Sequence, residues 1–496
     1  MKVFKKRFFA VILLALAVSI AVSCADNDGG GSQRNDGNQV NGAGADPESP
    51  LQTDSEADEL VLPTFPDRDF EGYNFRILST GEGWIGVMRT LVVEEETGEV
   101  LNDAIFRRNR LIEDRFGFNL IHIPAAGVGD VRNRGRISIQ AGSDDFDLLM
   151  TSAGNALELA QGGFLAMIDE IPIIDLTKPW WDQDMKRDFS IGNRVYFICS
   201  DFTFNHYSAT VPIFFNKQLH ADLGLDCPYQ LVREGRWTID RFAEMGRAAL
   251  RDLNGDGIFD LNDQFGLISD TRMHVLSFFA GSNTRFVRKD RYDMPYSVMN
   301  NDRFINVFNR IFETFREDWV YDPTIRGGGE NQENIFIRNQ TLFWCVQMNF
   351  AVLLRDMESD FGILPIPKWD ESQEYHISST GQIDVKCIPI TTSDFERTGL
   401  ILEALSVESF LTTRAVYYDT MLRSRLFGRD EESGEMLDII FANRIYETGR
   451  HYWGNAMSNP IINLVTEGNP NIVSELEARE GAIYAVIAET VAMFLD

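Results

Sequence analysis

From Tyr73 onward, short segments with a two-residue alternation of apolar and polar side chains keep giving way to stretches with helical spacing. That succession limits the fold more than any other feature of the chain. Tyr73–Ser79 alternates as a strand, and Ala104–Phe116 then sets Ile105, Leu111, Ile112 and Phe116 on one side of a charged helix. Phe118–Ile123 alternates again. Phe146–Met150 reads as a buried strand running into the turn Thr151–Asn155, which opens a helix over Ala156–Gln161. Further strands are predicted at Val195–Cys199, Ser208–Phe215, Thr341–Gln347, Phe361–Leu364 and Val385–Ile390. Long helices are predicted over Ile239–Asp252, Phe304–Phe315, Phe395–Thr412, Glu435–Tyr446 and Ile472–Phe494. Strands alternating with helices argue for α/β construction around largely parallel sheet.

Ahead of this region the chain is of another kind. Lys2, Lys5, Lys6 and Arg7 precede an apolar run from Phe8 to Val22, and Ser23 and Cys24 follow at once. The run is about 15 residues, shorter than the about 20 that span a bilayer, and has the layout of a secretory signal. Ala21–Cys24 resembles the lipobox of bacterial lipoproteins, in which the cysteine thiol is lipidated and becomes the new N-terminus. Residues 1–23 are therefore expected to be a lipoprotein signal peptide. Residues 24–60, rich in Asp, Asn, Gly and Ser, have too little to bury to offset their ordering entropy and are expected to form a flexible tether. The expected location is the outer face of the cell membrane, held by lipid alone. A formal charge of −29 repels nucleic acid and anionic head groups, which removes both as partners. Cys199, Cys227, Cys345 and Cys387 show no paired spacing, and free thiols are expected.

Asp252–Asp263 is the sharpest local motif. Oxygen-bearing side chains stand at Asp252, Asn254, Asp256, Asp260 and Asp263, with Gly257 at the sharp turn and the Ile258 carbonyl available between them. That spacing wraps hard oxygen donors around one calcium ion, although the last ligand is Asp rather than a long bidentate Glu. The alternative is an acidic turn with no ion. A structural Ca2+ is the expectation. Tryptophans form a second constellation at Trp84, Trp180, Trp181 and Trp453, because indole faces can hold sugar rings while amides and carboxylates read hydroxyls. No nucleophile elbow, metalloprotease helix, phosphate loop or dinucleotide fingerprint is present, and the 6 histidines are scattered. The chain is accordingly not expected to be an enzyme, the competing readings being a secreted carbohydrate-active enzyme and a sensory co-receptor for a membrane kinase.

Several stretches, in order, resemble a known family. They are Leu101–Ala104 with Arg108–Arg110, Phe146–Leu149, Gly162–Ala166 with Asp169, Pro179–Trp181, Phe214–Lys217, Pro228–Thr238, Asp252–Gly257, and Arg429–Asp430 with Ser433, Met436 and Leu437. Behind a lipoprotein signal they resemble the family 1 extracellular solute-binding proteins, the lipoprotein receptors of ABC-type sugar importers. The resemblance implies a two-lobe, type II periplasmic-binding-protein-like fold whose discontinuous lobes are joined by crossing strands. Residues 61–198 and 361–390 would form the first lobe, and 199–360 with 391–496 a second, helix-rich lobe. The crossings are expected near Val195–Asn205, Phe361 and Ile390. The implied ligand is an oligosaccharide, the implied partners are importer permease subunits, and the receptor would be a monomer. Matched positions place Trp84, Ser152, Asn155, Trp180, Trp181, His274, Gln347, Asn349 and Trp453 at the cleft.

Overall fold

The computed structural model describes residues 61–81, 91–327, 330–423 and 431–495. In chain order the strands are β1 (Tyr73–Thr80), β2 (Phe118–Ala125), β3 (Leu148–Ser152), β4 (Phe197–Ile198), β5 (Ile213–Asn216), β6 (Phe265–Ser269), β7 (Val287–Lys289) and β8 (Pro295–Ser297). There follow β9 (Val320–Tyr321), β10 (Thr341–Cys345), β11 (Phe361–Leu364), β12 (Ser378–Ser379), β13 (Asp384–Cys387) and β14 (Arg444–Ile445). Two five-stranded sheets result, ordered β2-β1-β3-β13-β4 and β9-β6-β10-β5-β11. Each has three parallel strands, then an antiparallel strand (β13 or β5), then an outer strand antiparallel to that one. The two lobes thus share one pattern. In both, the antiparallel strand is the first to join after the chain arrives from the other sheet.

Burial on both faces explains why these strands read as nearly continuous apolar runs. In the second sheet Ile213 and Phe215 face one core with Leu267 and Phe343, while Phe214 faces another with Ile268 and Trp344. Successive side chains of a strand point to opposite faces, so each face receives alternate residues. The helices Ile239–Ala249 and Asp302–Arg316 bring Phe242, Phe304 and Phe308 to the first of these faces. Around the other sheet, Phe75, Ile77, Leu148 and Val385 pack with Ile112 and Phe116 of the helix Val100–Phe116.

Three features depart from the sequence-based boundaries. The strand Phe361–Leu364 lies beside β5 in the second sheet, not in the first lobe. Its short apolar run is equally at home in either sheet, so pattern alone cannot assign it. The helix Phe395–Glu408 packs Leu400, Ile401 and Leu405 into the first core, not the second. Finally, the helix expected over Glu435–Tyr446 ends at Ala442, and Arg444–Ile445 is extended, pairing with Ser378–Ser379. The chain therefore runs between the sheets through 199–212 and, beyond Phe361, through 365–383. It passes from the first core back to the second between the helices Phe395–Glu408 and Glu431–Ala442, well after Ile390, while 443–447 returns to touch the first core through Tyr446. Thr210 bridges Thr380, and Gly381 N–H donates to Ala209 O at 2.7 Å, so two of these segments lie side by side.

Residues 443–447 are anchored there by buried charge. Arg444 donates to Asp182 Oδ2 at 3.0 Å, and the Tyr446 hydroxyl donates to the same oxygen at 2.5 Å. The 24-residue helix Ile472–Leu495 extends about 36 Å, enough to reach both lobes. It begins with Ile472 and Leu476 in the second core and places Phe494 in the first.

Candidate functional site

In sheets with parallel strands, ligands bind outside the carboxyl ends of those strands. The second lobe has a cavity of about 370 Å³ there, past the ends of β6, β9 and β10. After β6, Asp270 caps the helix Thr271–Gly281 by accepting from Arg272 N, and His274 follows within its first turn. After β10 come Gln347 and Phe350, on the turn Met348–Leu354. Gln332 and Glu333, from the start of the helix Gln332–Ile337, close the opposite side. The Trp344 indole N–H donates to Gln332 Oε1 at 2.9 Å, fixing both aromatic wall and amide.

Burial and the neighbouring Asp322 carboxylate raise the pKa of Asp270. Burial, aided by the Arg450 cation, pushes His274 down to about 3, so its ring is neutral at physiological pH. Carboxylates and amides arranged beside Trp344 and Phe350 can accept from and donate to hydroxyls while an aromatic face covers C–H surface. Gln347 is held tightly. A Cβ on Gly381 would fall 1.8 Å from Gln347 Nε2.

The residues singled out in the sequence fare unequally. His274 and Gln347 line the cavity. Asn349 lies in the same turn, nearly buried, with Oδ1 lacking a hydrogen-bond partner among the described residues. Ser152 and Asn155 sit at the carboxyl end of β3 in the first lobe, where the Ser152 hydroxyl caps the helix Ala153–Gln161 by accepting from Asn155 N. Trp180 and Trp181 are core residues, not platforms. Both are at most 1% exposed, and their indole N–H groups donate to the two oxygens of Glu403 at 2.7 and 2.9 Å. Trp453 is likewise buried, its N–H donating to Thr490 Oγ1 at 2.9 Å. Trp84 and Cys24 lie outside the described residues. Sequence reasoning missed Asp270, Gln332, Glu333, Trp344 and Phe350. The strand-then-Asp-Thr succession at Ser269–Thr271 is a helix-start signal that could have found Asp270.

In the acidic loop, Asp252 accepts from Gly255 N and Gly257 N, Asp256 from Ile258 N, and Asp263 from Leu253 N and Asp260 N. Gly255 and Gly257 adopt φ of 77°, the left-handed region that suits glycine. The oxygens turn the chain through its own amides, and each retains a lone pair for an ion. Among the described residues no three His, Cys, Asp or Glu side chains gather as a metal site, so the loop would have to draw Asp252, Asp256, Asp260 and Asp263 together around calcium.

No protein-family model matches the chain, and no curated protein sequence does. Solved structures do. An ABC substrate-binding protein from Listeria monocytogenes in complex with cycloalternan superposes with a TM-score of 0.55 at 11% identity, over 84% of this chain and 99% of that one. The maltose/maltodextrin-binding domain MalE from Bdellovibrio bacteriovorus, bound to maltotriose, gives 0.53 at 14% identity, over 84% and 100%. The two-lobe α/β fold is that of ABC solute-binding proteins. UgpB from Mycobacterium tuberculosis, in complex with glycerophosphocholine, gives 0.55 at 13% identity, over 84% and 98%. At such identities the likeness is one of architecture, and the cavity's own side chains must supply the chemistry.

Proposed function

We propose that this chain is a solute receptor, anchored by lipid at Cys24 on the outer face of the membrane, that captures an oligosaccharide between its lobes and presents it to the permease subunits of an ABC importer. The carrying observation is the cavity beyond β6, β9 and β10, where Asp270, Gln332, Glu333 and Gln347 stand beside Trp344 and Phe350. Structures of the same fold hold cycloalternan and maltotriose, which supports a saccharide. A ligand touching both lobes only when they approach shifts the population toward the closed form, and the importer reads that form. Translocation and ATP hydrolysis then belong to the partner subunits.

Calorimetric titration against a panel of oligosaccharides tests the reading. Stoichiometric binding with the sugar recovered unaltered is expected, and release of new reducing ends would make the chain an enzyme instead. Anchoring is tested by fractionating cells that carry Cys24→Ala: the variant should leave the membrane fraction or stay unprocessed, and unchanged tight association would remove the lipid from the proposal.

A further inference from the structure

Among the described residues, every charged side chain that lines the cavity beyond β6, β9 and β10 is a carboxylate: Asp270, Glu330 and Glu333. No lysine or arginine shares that wall. His274 does, but burial and the Arg450 charge keep its ring neutral. The Arg450 guanidinium itself stays outside the lining and donates to the Met273 carbonyl at 3.2 Å.

The three carboxylates are not equally balanced. Arg338 donates through Nη2 to Glu330 Oε2 at 2.9 Å and through Nη1 to Oε1, so that charge is matched. Among the described residues no lysine or arginine side chain forms an ion pair with Asp270 or Glu333. Asp270 accepts from the backbone amide of Arg272 at 2.9 Å, and burial and the Asp322 carboxylate act on it more strongly than the Arg272 cation does. Two unmatched negative charges, one after β6 and one ahead of β10, thus meet in one cavity of about 370 Å³.

The rest of the wall suits a group rich in donors. His274 is 5% exposed, and its Nδ1 has no hydrogen-bond partner among the described residues; a neutral imidazole keeps one acceptor nitrogen. Asn349 Oδ1, in the turn that carries Gln347 and Phe350, is an acceptor without a partner as well. Buried polar groups of native proteins are nearly always paired. The Trp344 and Phe350 rings meet at 83° with centroids 6.1 Å apart, and aromatic faces attract cations. A hydroxyl can bond a carboxylate but leaves its charge in place. An ammonium group offsets the charge too, through hydrogen bonds roughly twice as strong as neutral ones.

We propose that Asp270 and Glu333 read an ammonium group on the ligand, and that the saccharide of the proposed receptor is an amino sugar with its nitrogen unacetylated. This rests on the receptor reading above.

The test is calorimetric titration of the purified protein at about pH 6, where such amines are protonated. Glucosamine and galactosamine, as monomers and short oligomers, are compared with their N-acetylated forms and with the parent sugars. At least tenfold tighter binding of one free-amine series is expected. The ratio of amine to parent-sugar affinity should fall severalfold in Asp270→Asn and in Glu333→Gln, and the preference should vanish in the double variant. Asparagine keeps an oxygen to accept from Arg272 N, so the helix cap survives in Asp270→Asn, and melting curves check the fold. Glu333→Gln, outside that cap, decides the matter if Asp270→Asn is destabilised. Equal or tighter binding of the acetylated or parent sugars would overturn the inference and leave the receptor standing. Binding of none of them would remove both. An amine preference that persists in the folded double variant would also overturn it, because the cation would then be read elsewhere.

Discussion

Glu403 shows how differently a side chain reads in sequence and in structure. Trp180 and Trp181 invite a sugar-platform reading because adjacent indoles beside a turn have the right chemistry. What the sequence cannot display is a carboxylate more than 200 positions away that accepts from both indoles. Burial raises Glu403 to about 7, against the pull of the two N–H donors. The buried histidines move the other way, with His274 and His451 near 3 and His376 near 4, each through burial first. The signs oppose. A histidine held neutral in the fold contributes stability that is present above its unfolded pKa of about 6.5 and is lost as pH falls. Glu403 holds a proton in the fold that the unfolded chain releases above about 4.5, so its contribution grows as pH falls from 7. Glu447, also raised to about 7 by burial, acts in the same sense as Glu403, so the two glutamates offset much of what the three histidines lose between pH 7 and pH 5. Glu403→Gln removes one of these offsetting groups, so its deficit relative to the parent should widen on acidification, by about 1.4 kcal/mol per unit of lost pKa shift. Parallel melting curves across that range would show that Glu403 does not titrate there.

At the level of elements, strands were legible from alternation at Tyr73–Ser79 and Phe118–Ile123, and from a short apolar run at Phe361–Leu364; all three occur near their expected bounds. Their sheet was not legible for β11, because a strand buried on both faces carries no mark of its neighbours. The helix expected to reach Tyr446 stops short for a related reason: the extended Arg444–Ile445 is set by pairing with β12 and by Asp182, both distant in sequence. The acidic loop is the opposite case, a purely local motif whose turn geometry is visible in its residues. Its metal is a proposal that mass action can check. Calcium bound to the native state alone, at tenfold excess over Kd, should stabilise it by roughly 1.4 kcal/mol. Asp256→Asn keeps an oxygen for the Ile258 amide while removing charge, so it should abolish the calcium-dependent rise in melting temperature and change the calcium-free value little. No shift with millimolar calcium on chelator-treated protein would leave the loop as a self-bonded turn.

Across the whole molecule, the cavity wall is joined directly to the segments that connect the lobes. Met348 N–H donates to Thr210 O at 2.8 Å, and Gly381, next to the Thr210–Thr380 bridge, supports the Gln347 side chain. A rigid-body change between lobes therefore acts on the position of a cavity residue, and binding at that residue acts back on the lobes. Gly381 is not in the left-handed region, so space rather than backbone strain demands glycine there. Adding a methyl group would displace Nε2 and the carbons behind it, turning Gln347 out of its place. Gly381→Ala should thus resemble Gln347→Ala, each weakening ligand binding by the roughly 0.5–1.5 kcal/mol of a lost neutral hydrogen bond, about two- to tenfold. The double variant should be no weaker than either single one, because both remove the same contact. Titration of the three variants, with small-angle scattering to follow compaction on ligand addition, measures both effects. Additive losses in affinity would mean that Gly381 acts on the connecting segments themselves rather than through Gln347.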